Sequence, residues 1–383
     1  MIVSSGGERR HESRLLLRCH FSSFLSKKVL VFLVISLAVL HLTTRARLDN
    51  TSSSPSMDVL LNAAKARVVD DELGAVVFLA PQRHEGSLWN IDRFCMLLRA
   101  VRSVDRYLNT KYGPYPIYIL VAKDHELDPR HKDGIYSPND RALIRSWAPH
   151  SKIHFVEIYL YSQDALEPGT TRDQIMNWRI NGTDGAVTGR DLGYTSMSRL
   201  WSGRLQGMSF LDRHQYYMRM DDDSLLLETF PYDPFEKMQR NNLTYAFRRE
   251  AFDHWGIEHL WRVSKEHLDF TTRTDAVLPF LRVGEEDYSG RQPYNNFHVS
   301  SIDFWRSEKW TRLWDEMNEE HLFFKYRVGD ANVHAIAIMM MEENAWEKWP
   351  EVPYAHNSND YHQGWGSKDW VAECKAAYQK WLH

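Results

Sequence analysis

An α/β fold built on a mixed, mainly parallel sheet is what this sequence predicts, and three observations predict it. Short runs rich in β-branched and aromatic residues alternate with longer stretches whose apolar residues recur at helical spacing. No internal repeat interrupts the alternation. The 383 residues are 43% hydrophobic and 26% charged, enough apolar material for one large core. Alternation of this kind places helices on both faces of a mainly parallel sheet.

The elements follow in order. Ala75-Val-Val-Phe-Leu79 is a buried strand that stops at Pro81. Trp89 to Tyr107 is a helix, with Ile91, Phe94, Leu97, Leu98 and Val101 along one face. Pro116 to Val121 is a second strand and Ile153 to Tyr159 a third. Met197 to Phe210 reads as another helix. Tyr216-Tyr-Met-Arg-Met220 reads as a strand running into Asp221-Asp-Asp223. In open α/β sheets ligands bind beyond the carboxyl ends of the strands, and the three aspartates stand at such an end.

The chain ahead of this body has a different character. Residues 1–28 hold Arg9, Arg10, Arg14, Arg18, Lys27 and Lys28 against Glu8 and Glu12, although the whole chain carries −4. That overall negative charge argues against a nucleic-acid partner. Val29 to Leu42 contains no charged residue. The run is shorter than the roughly 20 residues of a full bilayer span, and a signal-peptide core has similar length. Basic residues precede it, no small-x-small cleavage site follows it, and early secretory membranes are thin. The sequence therefore favours an uncleaved anchor with its N-terminus in the cytosol.

The expected layout is a cytosolic tail at 1–28, a signal-anchor transmembrane segment at 29–44 and a flexible stem at 45–72. A luminal domain fills 73–383, in the Golgi or the endoplasmic reticulum. Sequons at Asn50, Asn181 and Asn242 agree with luminal placement. Cys19 falls on the cytosolic side, leaving Cys95 and Cys374 as the luminal cysteines. An oxidising compartment permits that pair to bond, and nothing in the sequence requires it.

Two acids separated by one residue at a strand end can share a hard divalent cation. Such a cation bridges the phosphates of a nucleotide sugar and neutralises the departing diphosphate. Asp221-Asp-Asp223 taken alone suits a solvated turn or a helix N-cap equally well. Fourteen Trp and eighteen Tyr fit sugar binding, and fit a large core as readily.

Four collinear segments decide between these readings. They are Gly193-Tyr-Thr-Ser-Met-Ser-Arg-Leu-Trp-Ser-Gly203, Tyr216-Tyr-Met-Arg-Met-Asp-Asp-Asp223, Asn296-Phe-His-Val-Ser-Ser-Ile-Asp-Phe-Trp-Arg-Ser307 and Tyr326-Arg-Val-Gly-Asp-Ala-Asn-Val-His334. Together they resemble the motifs of glycosyltransferase family 15, the fungal-type Golgi α-1,2-mannosyltransferases, across residues 73–360. The resemblance implies a single GT-A-type nucleotide-sugar-binding domain. It also implies GDP-mannose as donor, a glycan or glycoprotein acceptor and Mn²⁺ as cofactor. Asp221 and Asp223 then hold metal and donor, and His356, in Tyr354-Ala-His356, is the further metal ligand. Without the motif, His356 is a surface histidine on a proline-bearing loop.

By the same resemblance Tyr194 and Arg199 line the donor site, and Arg83 contacts phosphate or guanine. Tyr194, Asp330 and His298 fall at catalytic positions. Asp330 reads equally as the N-cap of a helix starting at Ala331. Phe323, Phe324 and Tyr326 read as core, Trp255 and Trp365 as candidates for sugar stacking, and Glu285-Glu-Asp287 as a solvated acidic loop.

One position departs from the family. Where the family places a glutamate beneath the anomeric carbon, this chain has His298. A carboxylate can form a glycosyl-enzyme intermediate or stabilise an oxocarbenium ion, and an imidazole does neither well. Retention then proceeds by front-face attack, with the leaving phosphate taking the acceptor's proton, or the chain is a catalytically degenerate sugar-binding protein. A related hexosyltransferase with another nucleotide sugar is the third reading. Retention of Asp221, Asp223, Arg199 and His356 favours an active enzyme.

Overall fold

A computed structural model describes residues 72–82, 91–124, 136–189, 192–268, 278–281, 287–356 and 368–382. The tail, anchor and stem up to residue 71 lie outside the described residues, as do Arg83, Glu285, Glu286 and Trp365. Among the described residues no helix is long and apolar enough to cross a membrane.

The strands are β1 (Glu72–Leu79), β2 (Ile117–Ala122), β3 (Ile153–Ile158), β4 (His214–Met220), β5 (Ser224–Leu226) and β6 (Tyr245–Phe247). They continue with β7 (Glu250–Phe252), β8 (Arg291–Pro293), β9 (Phe297–Ser301), β10 (Trp346–Lys348) and β11 (Tyr354–His356). The helices used below are α1 (Ile91–Val104), α2 (Leu192–Arg199), α3 (Ile257–Ser264), α4 (Glu308–Glu319), α5 (Asp330–Met340) and α6 (Lys368–Leu382).

Seven strands form one sheet in the order β10-β6-β9-β4-β1-β2-β3. β3, β2, β1 and β4 are parallel, β9 runs against both β4 and β6, and β10 is parallel to β6. Only β9 is reversed, so the sheet is mixed and mainly parallel, as the sequence predicts. The chain leaves β1 toward β2 on one side and returns as β4 on the other. That switch opens a crevice at the carboxyl ends of β1 and β4, the usual ligand position in such sheets.

Side-chain alternation sorts the strand residues into two cores. Val77, Leu120, Tyr217 and Tyr245 pack with α5 on one face. Val76, Phe78, Met218 and Val299 pack with α1 on the other. α5 is buried on all sides, which its run of Val333, Ala335, Ile336, Ala337, Ile338 and Met339 dictates. α1 is amphipathic and buries Phe94, Leu97, Leu98 and Val101. Cys95 on α1 is bonded to Cys374 on α6, with a Cα–Cα distance of 5.9 Å, which settles what the sequence leaves open.

Phe323 and Phe324 are buried as expected, and Tyr326 is partly buried, stacked on His259 at 3.6 Å between ring centres. Asn181 and Asn242 are both exposed.

Two helix boundaries differ from the periodicity. α1 stops at Val104 and opens into a wider turn over Asp105–Asn109. There the Asp105 carboxylate accepts hydrogen bonds from the His150 amide (2.9 Å) and the Ser151 hydroxyl (2.7 Å). The helix expected from Met197 begins at Leu192 as α2 and breaks into short turns after Arg199. Gly203 lies in that break, where a Cβ would stand 2.6 Å from the Trp314 ring.

Candidate active site

β4 leaves the sheet at Met220, and the Asp221 amide donates to the Asn296 carbonyl (3.2 Å) at the head of β9. The Ser224 amide donates back to the Asp221 carbonyl (3.0 Å), closing a tight turn around the three aspartates. β5 then pairs antiparallel with β11 and sets His356 opposite Ser224. That register brings His356 Nε2 to 3.1 Å from Asp223 Oδ1. Asp221, Asp223 and His356 each present a ligand atom within 4.8 Å of the others. Asp222 and Asp223 are only 7% exposed, and Asp221 is partly exposed.

Tyr294 Oη lies 2.9 Å from His356 Nδ1. With the phenol oxygen accepting from Nδ1–H, Nε2 could exchange its hydrogen bond to Asp223 for a cation, in the tautomer a metal ligand needs. The Arg249 guanidinium lies 4.4 Å from the centre of the Tyr294 ring.

Two arginines organise the acids. Arg93 of α1 donates from Nε to Asp222 Oδ2 and from Nη1 to Asp223 Oδ2, both at 3.0 Å. Arg219 of β4 donates to Asp221 Oδ1 (2.8 Å) and to Asp330 Oδ2. Asn295 also donates to Asp330 Oδ2 (2.9 Å), and Trp201 lies 4.3 Å from the Arg219 guanidinium. Burial alone would lower the Arg219 pKa, but Asp221 and Asp330 raise it above the usual arginine value.

Burial raises the pKa of Asp221, against the charges of Arg219 and His356. Burial and the neighbouring carboxylates likewise raise Asp222 against Arg93. For Asp223 burial pushes upward, but the His356 hydrogen bond and the charges of His356 and Arg93 hold the carboxyl below its usual range. Four carboxylates thus converge on two guanidiniums. The excess of negative charge and the oxygen and imidazole donors fit a divalent cation at Asp221, Asp223 and His356.

Asp330 is the first residue of α5, and Gly329 occupies the N-cap. Its carboxylate turns to Arg219 and Asn295, which corrects the capping alternative. Tyr194 stands close by: a Cβ built on Gly329 would be 3.6 Å from its hydroxyl.

Arg199 is held apart from the aspartates by its own contacts. Its guanidinium is buried and donates to Asn318 Oδ1 (2.8 Å) and the Ala165 carbonyl (2.7 Å), 5.3 Å from Trp314. The Asn318 bond ties α2 to α4, and the Ala165 bond ties it to the turn at Gln163–Ala165. Burial lowers its pKa to about 10 despite Glu167.

His298 is 0% exposed. The Asn295 carbonyl, 2.9 Å from Nδ1, can only accept, so Nδ1 carries the proton. The Tyr217 hydroxyl, which accepts from Gln206 at 2.7 Å, donates to Nε2 at 3.1 Å. Burial, with His334 and Arg219 adding to it, holds the imidazole neutral, its pKa far below the usual value. Both nitrogens are engaged, and the side chain has no exposed surface.

The sequence reading assigned no role to Arg93, Arg219, Tyr294 or Asn295. A buried charge inside an apolar strand requires a partner, so Arg219 carried a legible signal. Arg93 did not, because an arginine on an amphipathic helix ordinarily faces water.

The family model described as glycolipid 2-alpha-mannosyltransferase matches residues 52–376. The chain belongs to this family. Within the family it is 30% identical over 182 residues to the probable mannosyltransferase KTR2 of Saccharomyces cerevisiae, a match covering 43% of each chain. It is 28% identical over 252 residues to the O-glycoside alpha-1,2-mannosyltransferase omh1 of Schizosaccharomyces pombe, covering 64% of this chain and 61% of the relative. The chain therefore spans less than two thirds of either relative's length. Among solved structures it is similar to core-mannan synthase A (Ktr4) of Aspergillus fumigatus in its Mn/GDP form. The TM-score is 0.60 at 18% identity, over 82% of this chain and 86% of that one. The GDP complex of Ktr4p from S. cerevisiae gives a TM-score of 0.59 at 18% identity, covering 74% and 70%. At these identities the likeness is one of fold.

Proposed function

We propose that this family member is a metal-dependent, retaining α-1,2-mannosyltransferase of GT-A type, moving mannose from GDP-mannose to a mannosylated glycan or glycoprotein. The single observation that carries the reading is the convergence of Asp221, Asp223 and His356 in the crevice at the carboxyl end of β4. The names of the relatives and the Mn/GDP form of a similar structure support it.

Asp221, Asp223 and His356 would hold Mn²⁺, to which mixed oxygen and imidazole donors are suited. Bound there, the cation supplies neutralisation of the leaving diphosphate. The remaining work belongs to the chain. Tyr294 orients His356. Arg93, with 43% of its side chain exposed, sits at the rim where it can exchange Asp222 and Asp223 for phosphate oxygens. Arg219 holds Asp221 and Asp330 in fixed relation, so the donor and acceptor ends of the site move together. Asp330 would lie at the acceptor end, and Tyr194, whose hydroxyl is near Gly329, would line the donor side next to it. Since His298 offers no nucleophile, retention rests on front-face attack, with a leaving-phosphate oxygen accepting the acceptor's proton.

The tail at 1–28, anchor at 29–44 and stem at 45–72 would hold the domain at 73–383 in the lumen of the Golgi or endoplasmic reticulum. Transfer from GDP-mannose to methyl α-mannoside with Mn²⁺ tests the reading. Asp221→Ala, Asp223→Ala and His356→Ala should each cost about 100-fold or more, the usual scale for loss of a metal ligand or its support. Full activity in these variants would sink the metal assignment. His298 favours one rival, a sugar-nucleotide-binding protein without turnover, and donor binding with no transfer to any mannoside would establish it.

A further inference from the structure

Arg327 has no role in the reading above, and its surroundings are unusual. It adopts a left-handed backbone conformation (φ 60°), which a non-glycine residue enters at a cost. The residue is 8% exposed, yet Nε and Nη1 are buried without any hydrogen-bond partner. Buried guanidinium nitrogens nearly always find acceptors, and leaving them unpaired is costly. The guanidinium lies between two aromatic rings, 4.3 Å from the centre of Trp255 and 5.7 Å from that of Tyr194.

The neighbouring groups complete a pattern. Trp255 is 50% exposed despite its size. Asp253 Oδ1 accepts from the amides of His254 (2.7 Å) and Trp255 (3.2 Å), leaving Oδ2 on the Gly329 side. The turn carrying them is clamped to the Arg327 segment: a Cβ on Gly256, where φ is 68°, would stand 2.6 Å from the Tyr326 carbonyl. Gly329 leads directly into Asp330, which Arg219 links to Asp221. The patch therefore adjoins the metal centre.

Unpaired N–H donors, a carboxylate oxygen, a phenol and an exposed indole are the set that reads a pyranose ring. Its hydroxyls both accept and donate, and its C–H face packs on an aromatic. We propose that Arg327, Trp255 and Asp253 form an acceptor subsite for a second sugar ring, adjacent to the ring that receives the transferred residue. The preferred acceptor is then a disaccharide or longer glycan. The inference rests on the transferase reading and on the direct recognition of sugar by these three side chains.

Calorimetric titration of the full-length protein, with GDP and Mn²⁺ present, tests it using methyl α-mannoside and α-1,2-mannobiose as probes. The unsubstituted protein should bind the disaccharide about tenfold tighter or more, the scale of one or two charged hydrogen bonds. Arg327→Met and Trp255→Ala should each bring that ratio toward one. Melting temperatures separate binding from packing, since Arg327→Met removes no protein hydrogen bond from Nε or Nη1. A lowered melting temperature with the ratio intact in both variants would make Arg327 a structural plug and overturn the subsite. Equal binding of the two sugars, or no binding of either, would overturn it too. The transferase reading is checked separately by GDP-mannose binding. A protein that ignores the nucleotide sugar yet prefers the disaccharide would lose that reading and keep the subsite.

Discussion

His298 and His334 stand together in the core, with ring centres 4.8 Å apart, and their proton positions are opposite. The Trp201 carbonyl, 3.1 Å from His334 Nε2, can only accept, so Nε2 carries the proton and the Tyr245 hydroxyl donates to Nδ1 at 2.7 Å. Burial lowers the His334 pKa to about 4, and lowers that of His298 far below its usual value. An unfolded histidine titrates near 6.5, so between that pH and about 4 the unfolded chain binds protons that the folded chain refuses. The histidines' contribution is therefore complete above about pH 6.5 and falls as pH drops, while Asp222, raised to about 7, contributes in the opposite direction below that pH. Each histidine contributes about 1.4 kcal/mol per pH unit in that window. Relative to the unsubstituted protein, His334→Asn should lose the His334 part of the pH dependence, making its melting temperature less sensitive to acid below about pH 6.5. An unchanged slope would remove His334 from the account. At this scale the sequence made Asp221, Asp223 and His356 legible, because motif and chemistry agreed. The partners of Arg199 and His298 were not legible, because a motif position says nothing of which way a side chain turns.

Pairing between short strands explains how the site is assembled. β5 and β11 have three residues each, too few for a period-two pattern to emerge, yet their register alone sets His356 beside Asp223. The long strands β1 to β4 were legible to within a few residues because buried parallel strands read as continuous apolar runs. The periodicity places the start of the helix at 192–199 five residues late and gives no sign of its break. In the segment that follows it, Gly203 packs so closely on Trp314, far away in sequence, that a Cβ there would meet the ring. Gly203→Ala should therefore destabilise the fold by about 1–3 kcal/mol, as overpacking does, in a denaturant titration. A wild-type midpoint would mean that Trp314 yields freely.

Across the whole molecule, one reversed strand converts an otherwise parallel sheet into a mixed one, and the acids gather where β4 meets that strand. Alternation of strands and helices made the layered architecture readable from the sequence. The position of β9 was not readable, since strand direction depends on the path of the intervening chain. Closure of the body by Cys95 and Cys374 was likewise undetermined by composition. Cys374→Ser should cost about 2–5 kcal/mol, visible as a lower melting temperature. Reductant should lower the melting temperature of the unsubstituted protein and leave the variant where it is.

That cystine spans 279 residues and encloses Asp221, Asp223 and His356 together with Trp255, Asp253 and Arg327, while Arg93 lies two residues outside it, so most of the proposed site sits in a covalent ring. A protease cutting once anywhere inside the ring opens it without releasing a fragment. Clipped protein would keep its mass in a non-reducing gel and fall into two bands only after a thiol is added. Proteolytic wear in an oxidising lumen would then be invisible to size alone, and the cleaved chain would retain both halves of its site.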